Sequence, residues 1–396
     1  MDYRFSQKMS TMKPSIIREI LKLSSDPSVI SFSAGNPASE TFPTEKIAAI
    51  TADALAVDPV KCLQYSVSEG YPPLREELVR WLGQDYGIDF SHNSLLVTSG
   101  AQQGIDLVTK CLVDEGDTIL VEKPTFLGAL NTFRSYNANL VGVEMEADGV
   151  DLASLEQAIR SSHNPRFFYV IPTFQNPSGI VTSLAKRQGI LEICRRYGVL
   201  VLEDNPYGDL RISGQPVPTI KSLDETGRDV IYLGSFSKLL APALRVGYTV
   251  ADDVLMAKLV VAKQTTDVHS NSLAQIICAE FLTRWDVHDH IALLQEVYRK
   301  KAGVMCSALD TYLGGKVTYQ KPQGGLFIWC TLPEQIDMPT FCKEAVKAGV
   351  AVVPGNAFYV NEEETCHSFR VNYSTPTDQQ IVNGVQILAK IVENSL

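Results

Sequence analysis

At 396 residues the chain is long enough for two domains around a large core, and 45% hydrophobic with 20% charged residues is an ordinary globular composition. A net charge of −10 without a basic stripe excludes nucleic acid as the main partner. No apolar run reaches the roughly 18 residues that span a bilayer, and Met1-Asp2-Tyr3-Arg4-Phe5-Ser6 lacks the apolar core of a secretory leader, so a cytoplasmic location is expected. Eight scattered cysteines without a C-x-x-C pair read as reduced core residues. No metal is expected, because His288-Asp289-His290 reads as the solvated first turn of a helix.

In chain order, a short amphipathic piece, Ile16-Ile17-Arg18-Glu19-Ile20-Leu21, leads to Ser31-Phe32-Ser33-Ala34-Gly35-Asn36-Pro37, where glycine and proline impose an irregular turn. That turn is either a linker or a place where Gly35 lets backbone approach a ligand. Leu63-Gln64-Tyr65-Ser66 and Glu69-Gly70-Tyr71-Pro72-Pro73 then form a loop before a predicted helix over 74–81.

From 95 to 250 the pattern is strand, turn, helix, repeated. The strand-like runs are Leu95-Leu96-Val97-Thr98, Thr118-Ile119-Leu120-Val121, Phe167-Phe168-Tyr169-Val170-Ile171, Val199-Leu200-Val201-Leu202, Val230-Ile231-Tyr232-Leu233 and Val246-Gly247-Tyr248-Thr249-Val250. Near-continuous apolar strands separated by helical periods predict a mostly parallel sheet covered on both faces, with ligands bound beyond the C-terminal strand ends. Several of those ends carry polar groups. Ser99-Gly100-Ala101-Gln102-Gln103 opens a helix whose free N–H groups suit a phosphate, although Ser-Gly is also an ordinary cap. Pro124-Thr125-Phe126 offers an aromatic cover for a planar ring, and Asn176-Pro177-Ser178-Gly179 is a turn that projects an amide. Asp204, after four buried aliphatic residues and Glu203, needs a cation. The Rossmann and P-loop glycine patterns are absent.

The chemistry centres on Ser235-Phe236-Ser237-Lys238, followed by Arg245. A lysine amine becomes a nucleophile only where its surroundings lower its pKa, while the guanidinium and hydroxyls suit a phosphate dianion. An amine beside a phosphate is what a pyridoxal phosphate site requires. Beyond 250 the pattern turns helical, with a long helix predicted over 290–313. Strand-like Val317-Thr318-Tyr319 and Gly324-Gly325-Leu326-Phe327-Ile328-Trp329 follow. A helix near 340–348, then Val350-Ala351-Val352-Val353-Pro354-Gly355, Ser368-Phe369-Arg370-Val371-Asn372-Tyr373 and a terminal helix complete a smaller α+β domain. The expected division is an N-terminal segment 1–45, a cofactor-binding domain 46–289 and a small domain 290–396.

With Lys238, Arg245, Asp204, Tyr207 and Asn176 assembled, the chain resembles the fold-type I pyridoxal phosphate enzymes of the class I/II aminotransferase family over nearly its whole length. Ser33-Ala34-Gly35, Gln64-Tyr65-Ser66 and Gly100-Ala101-Gln102-Gln103 are most similar to the 2-aminoadipate and kynurenine aminotransferase branch. The resemblance implies the aspartate aminotransferase-like α/β fold, with a large domain built on a mostly parallel mixed sheet flanked by helices, and a smaller α+β domain. It implies that Lys238 carries the cofactor as an imine and then shuttles the substrate Cα proton, and that Asp204 pairs with the ring nitrogen. Asn176 and Tyr207 would bond the ring 3-oxygen, and Phe126 would stack on the ring. Ser235, Ser237, Arg245 and the backbone of Ala101 and Gln102 would hold the phosphate. Tyr65 would reach the phosphate of the neighbouring subunit, implying a homodimer, and Arg370 would clamp the substrate α-carboxylate, with Gly35 and Asn176 beside it. Ala101 is a departure, since relatives often carry a hydroxyl residue there.

The expected reaction moves an amino group from an L-α-amino acid to a 2-oxo acid, 2-oxoglutarate foremost, by ping-pong kinetics. A lyase, racemase or decarboxylase on the same scaffold is the alternative. A regulatory ligand-binding domain is a second alternative, and the roughly 30 residues before Ser33 are too few for the winged helix it would carry. Phe5, Ile16, Leu21, Tyr71 and Phe358 are candidates to line the substrate pocket.

Overall fold

The computed structural model describes residues 3–10 and 28–396; the amphipathic piece at 16–21, with Ile16 and Leu21, lies outside them. In chain order the strands are β1 (Ile30–Ser31), β2 (Asn93–Thr98), β3 (Thr118–Lys123), β4 (Asn139–Glu146), β5 (Gly149–Val150), β6 (Pro165–Val170) and β7 (Leu200–Asp204). They continue with β8 (Val230–Ser235), β9 (Gly247–Asp252), β10 (Thr318–Tyr319), β11 (Phe327–Thr331), β12 (Val350–Ala351), β13 (Val353–Pro354) and β14 (Ser368–Asn372).

The large sheet has the order β2-β9-β8-β7-β6-β3-β4-β5. β8, β7, β6, β3 and β4 run parallel, β9 opposes both of its neighbours, and β5 folds back on β4. The six apolar runs of the sequence are β2, β3, β6, β7, β8 and β9. The β4 and β5 strands are additional. β4 lies next to the sheet edge and mixes Asn139, Glu144 and Glu146 with its apolar residues, so it lacks the buried-strand signature.

The period of two along each strand divides the core. Ile119, Val121, Phe167, Tyr169 and Leu202 join one apolar cluster, whereas Leu120, Phe168, Val170, Val201 and Val230 join another. Helices cover both faces, as strands without a solvated side require. The helix Pro72–Tyr86 starts with a proline where no N–H partner is needed and stops at Gly87 in the left-handed region. It extends beyond the predicted 74–81 at both ends.

The smaller domain holds the antiparallel sheet β10-β11-β14-β13, and β1 pairs in parallel with β12, tying the N-terminal segment to it. The long helix Val287–Leu313 packs against the C-terminal helix Asp378–Ser395. It begins three residues before the expected start because Asp286 caps it through the His288 N–H. His288 is at the surface between Asp85 and Asp286, but His290 is buried on the Leu239 carbonyl, so only part of that first turn is solvated. No helix among the described residues is long and apolar enough to cross a membrane. All eight cysteines are free thiols.

Candidate active site

Beyond the C-terminal ends of β6, β7 and β8, roofed by β11 and β14 of the small domain, lies a cavity of about 390 Å³. It is lined by Gly35, Ala101, Gln102, Phe126, Asn176, Asp204, Tyr207, Ser235, Ser237, Lys238, Arg245 and Arg370. These are the residues assigned a catalytic or binding role from the sequence, apart from Tyr65; the candidates named only as pocket lining are not among them. A wider cleft of about 730 Å³ opens between residues 205–223 and the start of the long helix, but none of those residues lines it, and its Asp85 and Asp209 are already bonded to His288 and Tyr86.

Lys238 follows β8 in a turn, and its Nζ donates to the Gly35 carbonyl at 2.6 Å. Burial, with Arg370 and Arg245 nearby, brings the amine down to about 8, so roughly one tenth of it is uncharged and nucleophilic at pH 7, far more than of an ordinary lysine.

The anion end is built mostly from backbone. The helix Ala101–Leu112 starts at Gly100 with no side chain capping it, which leaves its first N–H groups free at the cavity. Gly100 has φ +80°, and a Cβ there would sit 2.5 Å from Arg245 Nη2. Gly247 is needed equally, since its Cβ would meet the Ala101 nitrogen at 2.7 Å. Arg245 itself sits at φ +53°, a conformation that costs about 1 kcal/mol for a side-chain-bearing residue, and it donates to the Ser99 carbonyl at 3.1 Å. Its guanidinium has no carboxylate partner among the described residues, so its charge is available to an anion.

At the opposite end Asp204 is buried. Its Oδ2 accepts from the Tyr169 hydroxyl at 2.7 Å, and its Oδ1 has no partner. Burial raises the carboxyl to about 6 despite that bond. An orphan acceptor at a cavity wall is what a protonated ring nitrogen would satisfy, and an amine, an anion cradle and this carboxylate together fit pyridoxal phosphate. Asn176 Nδ2 lies 3.5 Å from the Tyr207 hydroxyl, whose pKa burial raises.

β14 carries Arg370 inward while Phe369 packs on Phe341 across the strand. The guanidinium donates to Asn176 Oδ1 at 2.8 Å and to the Ser33 carbonyl at 2.7 Å, and it lies 4.0 Å from the Phe327 ring centre. Nε has no partner, and burial lowers the group to about 10, which leaves it charged at neutral pH. A carboxylate entering the cavity therefore meets a preoriented fork.

Of the remaining candidates, Tyr65 is 82% exposed and meets His269 edge-on, outside the cavity of its own chain. Phe5 is also exposed, and Tyr71 lines a separate hollow under Lys61, so neither borders this cavity. Both are directed away from it by their elements, a surface stretch and the start of Pro72–Tyr86. Phe358 is buried 5.0 Å behind Arg370. The sequence reading missed Tyr169, Ser33, Phe327 and a buried pair, Glu122 and Gln175. Glu122 Oε2 accepts from the Ile171 N–H at 3.0 Å and from Gln175 Nε2 at 3.1 Å, bracing the turn that presents Asn176. A glutamate ending the apolar run of β3 was the available signal for that pair; for Tyr169, inside an aromatic run, there was none.

The family model for aminotransferase class I and II matches residues 27–388. The aromatic-amino-acid aminotransferase 1 of Thermococcus litoralis is 38% identical, the alignment covering 100% of this chain and 96% of that protein. The kynurenine aminotransferase structure of Pyrococcus horikoshii superposes with a TM-score of 0.95 at 37% identity, covering 99% of this chain and 97% of the other. The α-aminoadipate aminotransferase of Thermus thermophilus, complexed with N-(5'-phosphopyridoxyl)-L-leucine, gives 0.90 at 35% identity, covering 99% and 97%. With the same cradle, amine and carboxylate arrived at from the residues, the chain belongs to the class I and II aminotransferase family, as a pyridoxal phosphate-dependent enzyme that transfers an amino group from an amino acid to a 2-oxo acid.

Proposed function

We propose that this aminotransferase takes large L-α-amino acids, aromatic ones included, as donors and 2-oxoglutarate as acceptor. The observation that carries the reading is the cavity wall. Arg370 stands with the Phe327 ring against it, 4.0 Å from the ring centre. A carboxylate fork beside an aromatic ring suits an α-carboxylate attached to a bulky side chain. Relatives named for aromatic amino acids, kynurenine and aminoadipate point the same way.

In this reading Lys238 Nζ is the covalent anchor and, when free, the base that takes the substrate Cα proton; its lowered pKa suits that task at neutral pH. Bound pyridoxal phosphate supplies the electron sink. When the cofactor is bound, Asp204 would keep the ring nitrogen protonated, Asn176 and Tyr207 would hold the ring oxygen, and Phe126 would cover the ring. Ala101, Gln102, Ser235, Ser237 and Arg245 hold the phosphate, and Arg370, with Gly35 and Asn176 near it, orients the substrate carboxylate. We assign residues 46–289 to the cofactor-binding domain and 290–396, joined by the N-terminal 1–45, to the small one. A reducing compartment, the cytoplasm, suits eight unpaired cysteines.

The homodimer belongs to the same proposal. Val57, Val60, Leu63, Tyr65 and Val67 are all exposed within eleven residues, an apolar stretch suited to a partner surface. Tyr65 would then complete the neighbour's phosphate site. Mixing Tyr65→Ala subunits with Lys238→Ala subunits should restore turnover that neither pure variant shows, because one site of each hybrid holds both native groups. A panel of amino donors assayed against 2-oxoglutarate tests the substrate assignment, and equal rates for small and aromatic donors would refute it.

A further inference from the structure

We propose that Tyr169 is a positioning residue for the reaction: its hydroxyl, from the strand beside β7, engages one carboxylate oxygen of Asp204 and leaves the other directed at the ring nitrogen of the cofactor. The inference rests on the reading of Asp204 as the partner of that nitrogen, and the experiment below separates the two.

The geometry comes from the sheet. β6 and β7 are parallel neighbours with Tyr169 opposite Leu202, so Asp204, two residues further on, emerges on the same face. Tyr169 is fully buried, and its ring meets Phe133 edge-on at 5.6 Å, which restricts where the hydroxyl points. That hydroxyl has one hydrogen-bond partner, Asp204 Oδ2 at 2.7 Å. A carboxylate only accepts, so the phenol donates; burial and the neighbouring Asp204 hold its pKa far above the ordinary value, and it remains a donor throughout the working range. Tyr169 does not line the cavity and so acts through Asp204.

Packing alone does not call for a hydroxyl. Phe167 and Phe168, on the same strand, fill equally buried positions with bare rings. The oxygen at Tyr169 is instead matched to the buried carboxylate of Asp204 and uses one of its acceptors. This makes the two oxygens of Asp204 inequivalent: Oδ2 is held and Oδ1 is left without a partner. Besides burial, the Tyr169 hydrogen bond is what acts on the Asp204 carboxyl, and Asp204 in turn helps to raise the pKa values of the buried Tyr207 and Glu122. Removing the Tyr169 donor would leave a buried carboxylate with two unpartnered oxygens, a state relieved by taking up a proton. The ring nitrogen would then lose its anionic partner. Donors that hold a metal's ligands from behind orient them in the same manner, and the Tyr169 hydroxyl does this for the Asp204 carboxylate.

The test is Tyr169→Phe, read by 15N NMR of ring-labelled pyridoxal phosphate bound to the enzyme, together with steady-state kinetics. The expected result is a ring-nitrogen signal moved toward the unprotonated position. Alongside it, kcat should fall about tenfold with KM for the amino donor within about threefold, the size of one charge-assisted hydrogen bond. In apoprotein the protonated-carboxyl infrared band, assigned by its loss in Asp204→Asn, should persist to higher pH in Tyr169→Phe. An unmoved signal in Tyr169→Phe, where Asp204→Asn does move it, overturns the role of Tyr169. An unmoved signal in Asp204→Asn overturns the assignment of Asp204 beneath it. If Tyr169→Phe does not fold, 3,5-difluorotyrosine at position 169 supplies a stronger donor. The carboxyl band should then disappear at lower pH, and no change overturns the proposal.

Discussion

Glu203 and Asp204 are adjacent on β7, both buried, and project to opposite faces of the sheet. Both Glu203 oxygens are satisfied by backbone, accepting from the N–H groups of Ile220 at 3.0 Å and Lys221 at 2.7 Å, and the buried Arg187 lies near enough to favour the charge. Asp204 has one oxygen on Tyr169 and the other unpartnered in the wall of the cavity that Lys238 and Asn176 also line. The same chemical group, at the same depth, thus braces a helix start on one face and stands ready for a ligand on the other. The difference is in the completeness of the hydrogen bonding. A buried acceptor left open is destabilising unless something arrives to fill it.

The contrast is open to direct attack. On the cavity side, Lys238→Ala should reduce turnover at least about 1,000-fold and abolish borohydride-trappable cofactor, without unfolding the protein. Asp204→Asn should lower kcat by roughly 100-fold with a melting temperature within a few degrees of the parent. On the other face, Glu203→Gln should leave kcat within about twofold but destabilise the fold by about 2 kcal/mol, because one backbone donor loses its acceptor. Interchanged effects, with Glu203→Gln catalytically dead and stable, would break the comparison.

Glu122 sharpens it, being open at Oε1 yet outside the cavity lining. Burial holds this carboxyl protonated up to about 8, against an ordinary 4.5 in the unfolded chain. Its contribution to stability is therefore complete below about 4.5 and is lost as pH rises through 8. Glu122→Gln retains an acceptor and cannot ionise, so it should match the parent at pH 5 and exceed it at pH 9 by on the order of 1–3 kcal/mol in denaturant titrations. Ala101→Ser is expected to have the smallest effect: the added hydroxyl should tighten cofactor binding about threefold, measured by fluorescence titration of apoprotein, with melting of the apoprotein unchanged.

Much of the site is legible in the amino-acid sequence, because its parts are local. A lysine with an arginine seven residues on, Asn-Pro-Ser-Gly after one strand, and Asp204 followed by Tyr207 after another are each readable from short-range spacing and from the cost of polar groups at the ends of apolar runs. The alternation of apolar strands and helical periods likewise determined a mostly parallel sheet and the end of it where a ligand would bind. Pairing between distant strands was not determined in this way. Tyr169 became a partner of Asp204 only when β6 lay against β7. Glu122 and Gln175 became a brace only when β3 lay against β6. Arg370, 337 residues from Ser33, became a preoriented fork once the small domain closed over the sheet. Along the chain Glu203 and Asp204 are equivalent carboxylates after an aliphatic run. Which of them is satisfied and which stays open was decided by the backbone N–H groups and hydroxyls that tertiary packing brought within hydrogen-bonding distance, since hydrogen bonds act over about 3 Å and carry no memory of sequence separation.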